Sequence, residues 1–181
     1  MESADYGGLK SITFYTFVDS WSPVNLLRQK GVNSMKLKQI SISIENSPGR
    51  LYEITRALGE AGINLRALNL VDSGDFGMLR LLVSDLAKTR RIMMENHMPA
   101  RVDDVVAVEI TDKPGRLSEV LKPLMDARIN VTYMYAFIGM SSNNAVMIFR
   151  FSDNDKAIEI LLASGVKLLD AKAFDILETE S

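Results

Sequence analysis

The chain of 181 residues contains no cysteine. Disulfides, thiolate zinc sites, iron–sulfur clusters and a cysteine nucleophile are excluded together. His97 is the only histidine, so no histidine-based metal cluster can be assembled. Its place just past a helical pattern suits a surface or packing role. No apolar run approaches the roughly 18 residues that a membrane-crossing helix needs. The first ten residues carry no basic cluster ahead of an apolar stretch, so no signal peptide is expected. The 21 basic and 23 acidic residues nearly balance, at a net charge of −2. That gives no electrostatic attraction to nucleic acid or to an anionic membrane. Low-complexity stretches and long like-charge blocks are also missing. What remains is 47% apolar and 24% charged, close to the globular average. The length suits one domain or two small ones, and a cytoplasmic setting is the expectation.

The organising feature that is present is an internal repeat. The segment from Ile44 to Leu65 returns from Ile110 to Val131, and ten of its 22 pairs are identical. The match resumes where Ser84-Asp85 aligns with Ser152-Asp153. Each copy carries the same element pattern. Ile40, Ile42 and Ile44 alternate with polar residues, which predicts a strand with one buried face. Asn46 or Ser47 suits the cap of a helix opening at Pro48, with Leu51, Ile54, Leu58 and Ala61 on its core face and Gly62 ending it. In copy two Pro114 opens the corresponding helix. Strands follow over 64–71 and 77–84. Asp85 caps a second helix fading near Asn96, and a short strand lies around 100–103; Asp153 is the matching cap in copy two. Each unit is therefore β-α-β-β-α-β, and the fold class is α+β: two tandem ferredoxin-like units with antiparallel sheets and helices on one face.

The expected division is an extension over 1–35, a first unit over 36–103 and a second over 104–181. Within the extension, 13–18 reads as a strand and 23–30 as a short helix; alternatively the folded part begins near Met35 and the preceding residues are poorly ordered. The tail over 171–177 resembles 104–110, so a terminal strand returning beside copy one would join the units into one sheet.

The motifs Asn46-Ser-Pro-Gly-Arg-Leu51 and Asp112-Lys-Pro-Gly-Arg-Leu117, each followed by a helix and then by Ile63-Asn64-Leu65 or Ile129-Asn130-Val131, resemble the ACT domain. Phe76-Gly77-Met78-Leu79-Arg80 fits the same pattern. The resemblance spans both copies and is to stand-alone tandem ACT proteins without a catalytic domain. ACT domains sense amino acids, so it implies an amino-acid-binding regulatory protein with no cofactor and no metal.

The chemistry of the turns is compatible with a zwitterionic ligand. A helix N-terminus offers free amides and positive potential to a carboxylate, and Gly49 and Gly115 allow close approach to the backbone. The first wall would be Asn46, Ser47, Pro48, Gly49, Arg50 and Leu51 in copy one, and Asp112, Lys113, Pro114, Gly115, Arg116 and Leu117 in copy two. Asn46 and Asp112 either meet an ammonium group or only cap their helices. Arg50 and Arg116 either steady the turn or touch a ligand carboxylate. By the resemblance, the ligand lies between two units, and Asn64-Leu65 and Asn130-Val131 supply the second wall.

Catalysis finds little support. Ser118 has no histidine in its repeat, and Glu53 and Glu119 suit the first turn of a helix electrostatically. No enzyme activity is expected. If Leu79, Leu81 and Val83 face the helices, then Met78, Arg80 and Leu82 lie on the open sheet face, with Val146, Ile148 and Arg150 in copy two. So apolar a face needs a cover, and a second chain would make a homodimer. The partners expected are thus a free amino acid, a second copy, and a regulated enzyme or regulator protein. The alternative is a regulator acting through protein partners, similar to the glycine-cleavage repressor, without a DNA-reading helix of its own.

Overall fold

The computed structural model describes residues 23–141 and 144–177. The alternating segment after Met35 forms β1 (Lys36–Glu45), and the amphipathic segment after Gly49 forms α2 (Arg50–Glu60). The hairpin β2 (Leu65–Ser73) and β3 (Phe76–Val83) follows, then α3 (Leu86–Glu95). Copy two repeats the order from the long β4 (Ala100–Thr111) through α4 (Arg116–Asp126), β5 (Val131–Ser141), β6 (Asn144–Phe151) and α5 (Asn154–Ala163) to β7 (Lys167–Leu169). Ahead of both copies stands α1 (Pro23–Ser34), longer than the helix expected over 23–30. It is packed rather than loose: Val32 joins the core of the second unit and Arg28 pairs with Glu159 at 2.6 Å. The strand expected over 13–18 lies outside the described residues.

Helix ends repeat with the sequence. Asp85 accepts from the Lys88 amide at 2.8 Å and Asp153 from the Lys156 amide at 3.0 Å, as their capping positions predict. All four helices of the units close in the same way. The amides of Ile63, Met98, Ile129 and Val166 reach back to Leu58, Met93, Leu124 and Leu161, each over 2.9 Å. A left-handed residue stands before each one: Gly62, His97, Arg128 or Gly165.

The strands form one antiparallel sheet in the order β2-β3-β1-β4-β6-β5. The junction of the copies is β4 itself. Its first half pairs with β1, from Ile42 opposite Ala100 to Lys36 opposite Val106. Its second half continues on that side with β7, from Ala107 opposite Leu169. The expected boundary between 103 and 104 therefore falls inside one unbroken strand. The tail does return to copy one, but not as a strand. Residues Ala171–Phe174 form a 3-10 turn capped by Asp170, and a single backbone bond joins the Leu177 amide to the Ser84 carbonyl at 3.0 Å. That edge of β4 is occupied end to end by β1 and β7.

Three apolar clusters define the layers. Ile40, Ile42, Leu79 and Leu81 pack beneath α2 and α3 with Ile54, Leu58 and Met93. Val106, Val108, Phe149 and Phe151 pack beneath α4 and α5. Because Ile40 faces Val102, which is four residues before Val106, both helical layers lie on the same side of the sheet. The third cluster fills the helix-free side, with Leu37 and Leu82 from copy one against Tyr135, Val146 and Ile148 from copy two. Arg80 on β3 and Tyr133 on β5 are four strands apart, roughly 19 Å on a flat sheet. Yet the Arg80 guanidinium carbon sits 4.1 Å from the Tyr133 ring centroid. The sheet is coiled about β4 until its two open faces close on each other. Met78, Arg80, Leu82, Val146, Ile148 and Arg150 do lie on the helix-free face, and Leu82 and Ile148 are fully buried there. The cover that the sequence assigned to a second chain is the other half of the same chain.

Candidate functional site

Both Pro-Gly turns begin a helix in an unusual way. Gly49 has φ 96° and Gly115 φ 87°, left-handed values that a helical position cannot take. The helices therefore cannot open at Pro48 or Pro114 as the sequence suggested; they start one residue after the glycine, at Arg50 and Arg116. The glycine is the cap residue in each case and no side chain caps either helix. Among the described residues, the amides of Leu51 and Tyr52, and of Leu117 and Ser118, find no acceptor. α3 and α5, by contrast, have aspartate caps. The same sequence thus satisfies two helix starts with its own side chains and leaves two open.

The flanking side chains are largely committed. The Asn46 side-chain amide donates to Asp72 at 2.9 Å and to the Gly74 carbonyl at 3.0 Å, bracing the turn against the β2–β3 hairpin. The helix-capping alternative for Asn46 is therefore not realised, nor is it for Ser47. Arg50 donates to Glu53 at 2.7 Å, and Arg116 binds Glu119 in the same relation. Both pairs lie within the first turn of their own helix. Pro48, Lys113, Pro114 and Asp112 are exposed, as is Leu51, while Leu117 is partly buried.

A hollow of about 100 Å³ lies beside the first turn, between Asn46, Ser47, Leu51, Leu70, Asp72 and Gly77. It is small because Gly77 brings the hairpin close: a β-carbon there would stand 3.2 Å from Leu70 Cδ1. A roomier cavity of about 340 Å³ lies beside the second turn, between the end of β4, the first turn of α4 and the α5–β7 turn. Its polar lining is Glu109, Thr111, Arg116, Glu119, Ser164 and Lys167. Glu109 accepts from Lys167 at 2.7 Å and from Asn144, and the Lys167 bond holds its carboxyl below the ordinary range. Sequence reasoning missed Glu109 and Lys167, because Lys167 meets the cavity from an element 50 residues beyond the motif.

The second wall is elsewhere. Asn64 and Asn130 precede β2 and β5, their amides held by Ser84 Oγ at 3.0 Å and Ser152 Oγ at 3.2 Å. The carbonyls of the same asparagines take the Ser84 and Ser152 amides, which explains why the Ser-Asp pair recurs in both copies. Leu65 pairs with Val83 at one end of the hairpin, whereas Phe76 pairs with Glu45 beside the turn at the other. The eight steps of β2 put about 26 Å between them. Across the copies the result is similar. Val83 and Phe151, the partners of Leu65 and Val131, are both level with Asp104 near the middle of β4. The turns lie beyond its two ends. One chain therefore brings together neither Asn64-Leu65 nor Asn130-Val131 with a Pro-Gly turn.

Among the described residues no group of histidine and acidic side chains could hold a metal ion. No helix there is long and apolar enough to cross a membrane.

Comparison with known proteins adds the family. The family model described as ACT domain pair matches residues 35–177. The crystal structure of protein BT0572 from Bacteroides thetaiotaomicron is 39% identical, covers 80% of this chain and 99% of that one, and superposes with a TM-score of 0.75. The regulatory subunit of aspartate kinase from Thermus thermophilus, in its ligand-free form, shares the fold at 14% identity, with 71% and 92% of the two chains covered and a TM-score of 0.52. A putative glycine cleavage system transcriptional repressor aligns over 74% and 95% of the chains at 14% identity, and its TM-score of 0.34 is too low to carry an argument. No curated protein sequence matches. With the turn motif, the element order and the match running through both copies, the chain belongs to the ACT domain pair family.

Proposed function

We propose that this protein is an amino-acid-responsive regulator. A free amino acid places its carboxylate at the open first turn of α2 or α4, and the response is passed to a partner by linkage between the bound and free arrangements. One observation carries this reading: two helices begin at left-handed glycines without a side-chain cap, while the other two helices of the units are capped by aspartate. Anions favour such a place because free amides and the helix dipole act together. The fold shared with the regulatory subunit of aspartate kinase supports a regulatory role, and a cysteine-free chain suits the cytoplasm.

The second wall, Asn64-Leu65 or Asn130-Val131, reaches a turn only when a second chain supplies it, so the working form is a homodimer. The exposed edge strand β2 fits that role, since Leu68, Leu70 and the adjacent Phe76 lie open to solvent. The same apolar edge also fits a regulated enzyme or regulator protein. That is the second reading, in which the turns are structural only.

A thermal-shift screen against the twenty amino acids decides between them. Selective binding to the folded state stabilises it by about 2.7 kcal/mol at a hundredfold excess over the dissociation constant. The shift is expected to disappear in Gly49→Val or Gly115→Val, whichever turn is used. No shift with any amino acid at millimolar concentration would overturn the sensor reading and leave the protein-partner reading.

A further inference from the structure

The closed face between the copies is apolar except at one place. Gln39 on β1 is completely buried there. Both polar atoms of its side chain are bonded, and mostly by the other copy. Nε2 donates to the Tyr133 hydroxyl at 2.8 Å and to Ser41 Oγ at 3.0 Å, while Oε1 accepts from the Tyr135 hydroxyl at 2.9 Å. The Ser41 hydroxyl donates to Asp103 at 3.1 Å, and Asp103 also accepts from Arg101 Nε. Arg80 lies over the face of Tyr133. Two hydroxyls on alternate residues of β5 are thus held by one amide on β1, three strands away in the sheet.

We propose that Gln39 is a positioning residue: with Tyr133 and Tyr135 it pins the two copies at one angle, so that the pair moves as a single rigid body. Apolar side chains alone attract without direction, and Leu37, Leu82, Val146 and Ile148 would pack at several neighbouring angles. A buried amide is different. Rotating one copy against the other pulls at least one hydroxyl away from Gln39, leaving a donor or acceptor without a partner where water cannot reach. The pin thus converts a permissive apolar contact into a specified one, as isolated buried polar groups do in coiled coils. A hinge between the copies is closed off, and any movement caused by a ligand at a turn displaces the whole chain. The inference concerns the copies themselves and stands whether or not the turns bind amino acids.

The absence of cysteine permits a direct test. Cysteines placed at the exposed positions Arg91 on α3 and Ala163 on α5 carry one spin label in each copy. Pulsed electron resonance then reads the distribution of distances between them, in samples diluted with unlabelled protein. The full chain is expected to give one narrow distribution. The variant Gln39→Met/Tyr133→Phe/Tyr135→Phe removes every hydrogen bond of the pin at similar volume and leaves no orphaned partner between the copies. It is expected to give a distribution at least twice as wide, or a second distance. A broad distribution in the starting protein overturns the inference, as does a variant as narrow as the starting protein. Should the triple variant not fold, Tyr133→Phe alone is measured in the same way. Broadening then supports the pin, and an unchanged width overturns it.

Discussion

Arg128 stands at φ 57°, where the first copy has Gly62 at φ 72°. Both end a helix in the left-handed region, and a side chain there costs about 1–2 kcal/mol that glycine avoids. Arg128→Gly is therefore expected to raise stability by about 1 kcal/mol in urea unfolding, offset in part by the greater freedom of glycine in the unfolded chain. No change, or a loss, would mean that the Arg128 side chain makes a compensating contact. Glu109 allows a second forecast. Its carboxyl is held below the ordinary value of 4.5, first by the bond from Lys167 and then by that from Asn144. A depressed carboxyl stabilises the fold above the unfolded value, and that contribution disappears as pH falls below it. Glu109→Gln should accordingly flatten the loss of stability on the acid side of pH 4.5 and leave the pH dependence in the neutral region unchanged. Acid titrations of the two proteins followed by circular dichroism make the comparison.

At the scale of elements, the caps separate what could be read in the sequence from what could not. Asp85 and Asp153 precede an apolar periodic segment, and a short acceptor in that place has one obvious use. Each is expected to lose about 1 kcal/mol on replacement by alanine. The two losses should add in the double variant, because the caps belong to separate helices in separate units. Denaturation of the two single variants and the double variant checks the sum. The Pro-Gly turns depart in detail from the sequence pattern. Proline at a first helical position is a sound signal, but the glycine after it takes a left-handed angle that no sequence pattern displays, and the helix begins two residues after the proline. Alternation in β3 and β6 correctly sorted Leu82 and Ile148 onto the helix-free side. It could not say what covers that side, because a pattern of period two fixes a face and is silent about the curvature of the sheet. The tail failed for a related reason. Residues 171–177 resemble the start of β4, yet pairing depends on a free edge, and edges are a property of the assembled sheet.

For the whole molecule the closed face sets the energetics. Leu82 and Ile148 are core residues rather than a surface waiting for a partner, so Leu82→Ala or Ile148→Ala should each cost about 2–5 kcal/mol. Sedimentation should find the oligomeric state unaltered. Dissociation with little loss of stability would instead mean that the face opens to a second chain. The strand β4 has a different kind of consequence. It serves as the last strand of one repeat and the first of the next, so there is no linker at which recombination can separate the copies. A cut between 103 and 104 leaves each half with a truncated edge and an uncovered apolar face. Copies joined by a flexible tether can be shuffled, lost or multiplied independently; copies that share a strand are inherited together. Within such a pair the copies diverge in place, as Gly62 against Arg128 at one helix end and Asn46 against Asp112 at one turn.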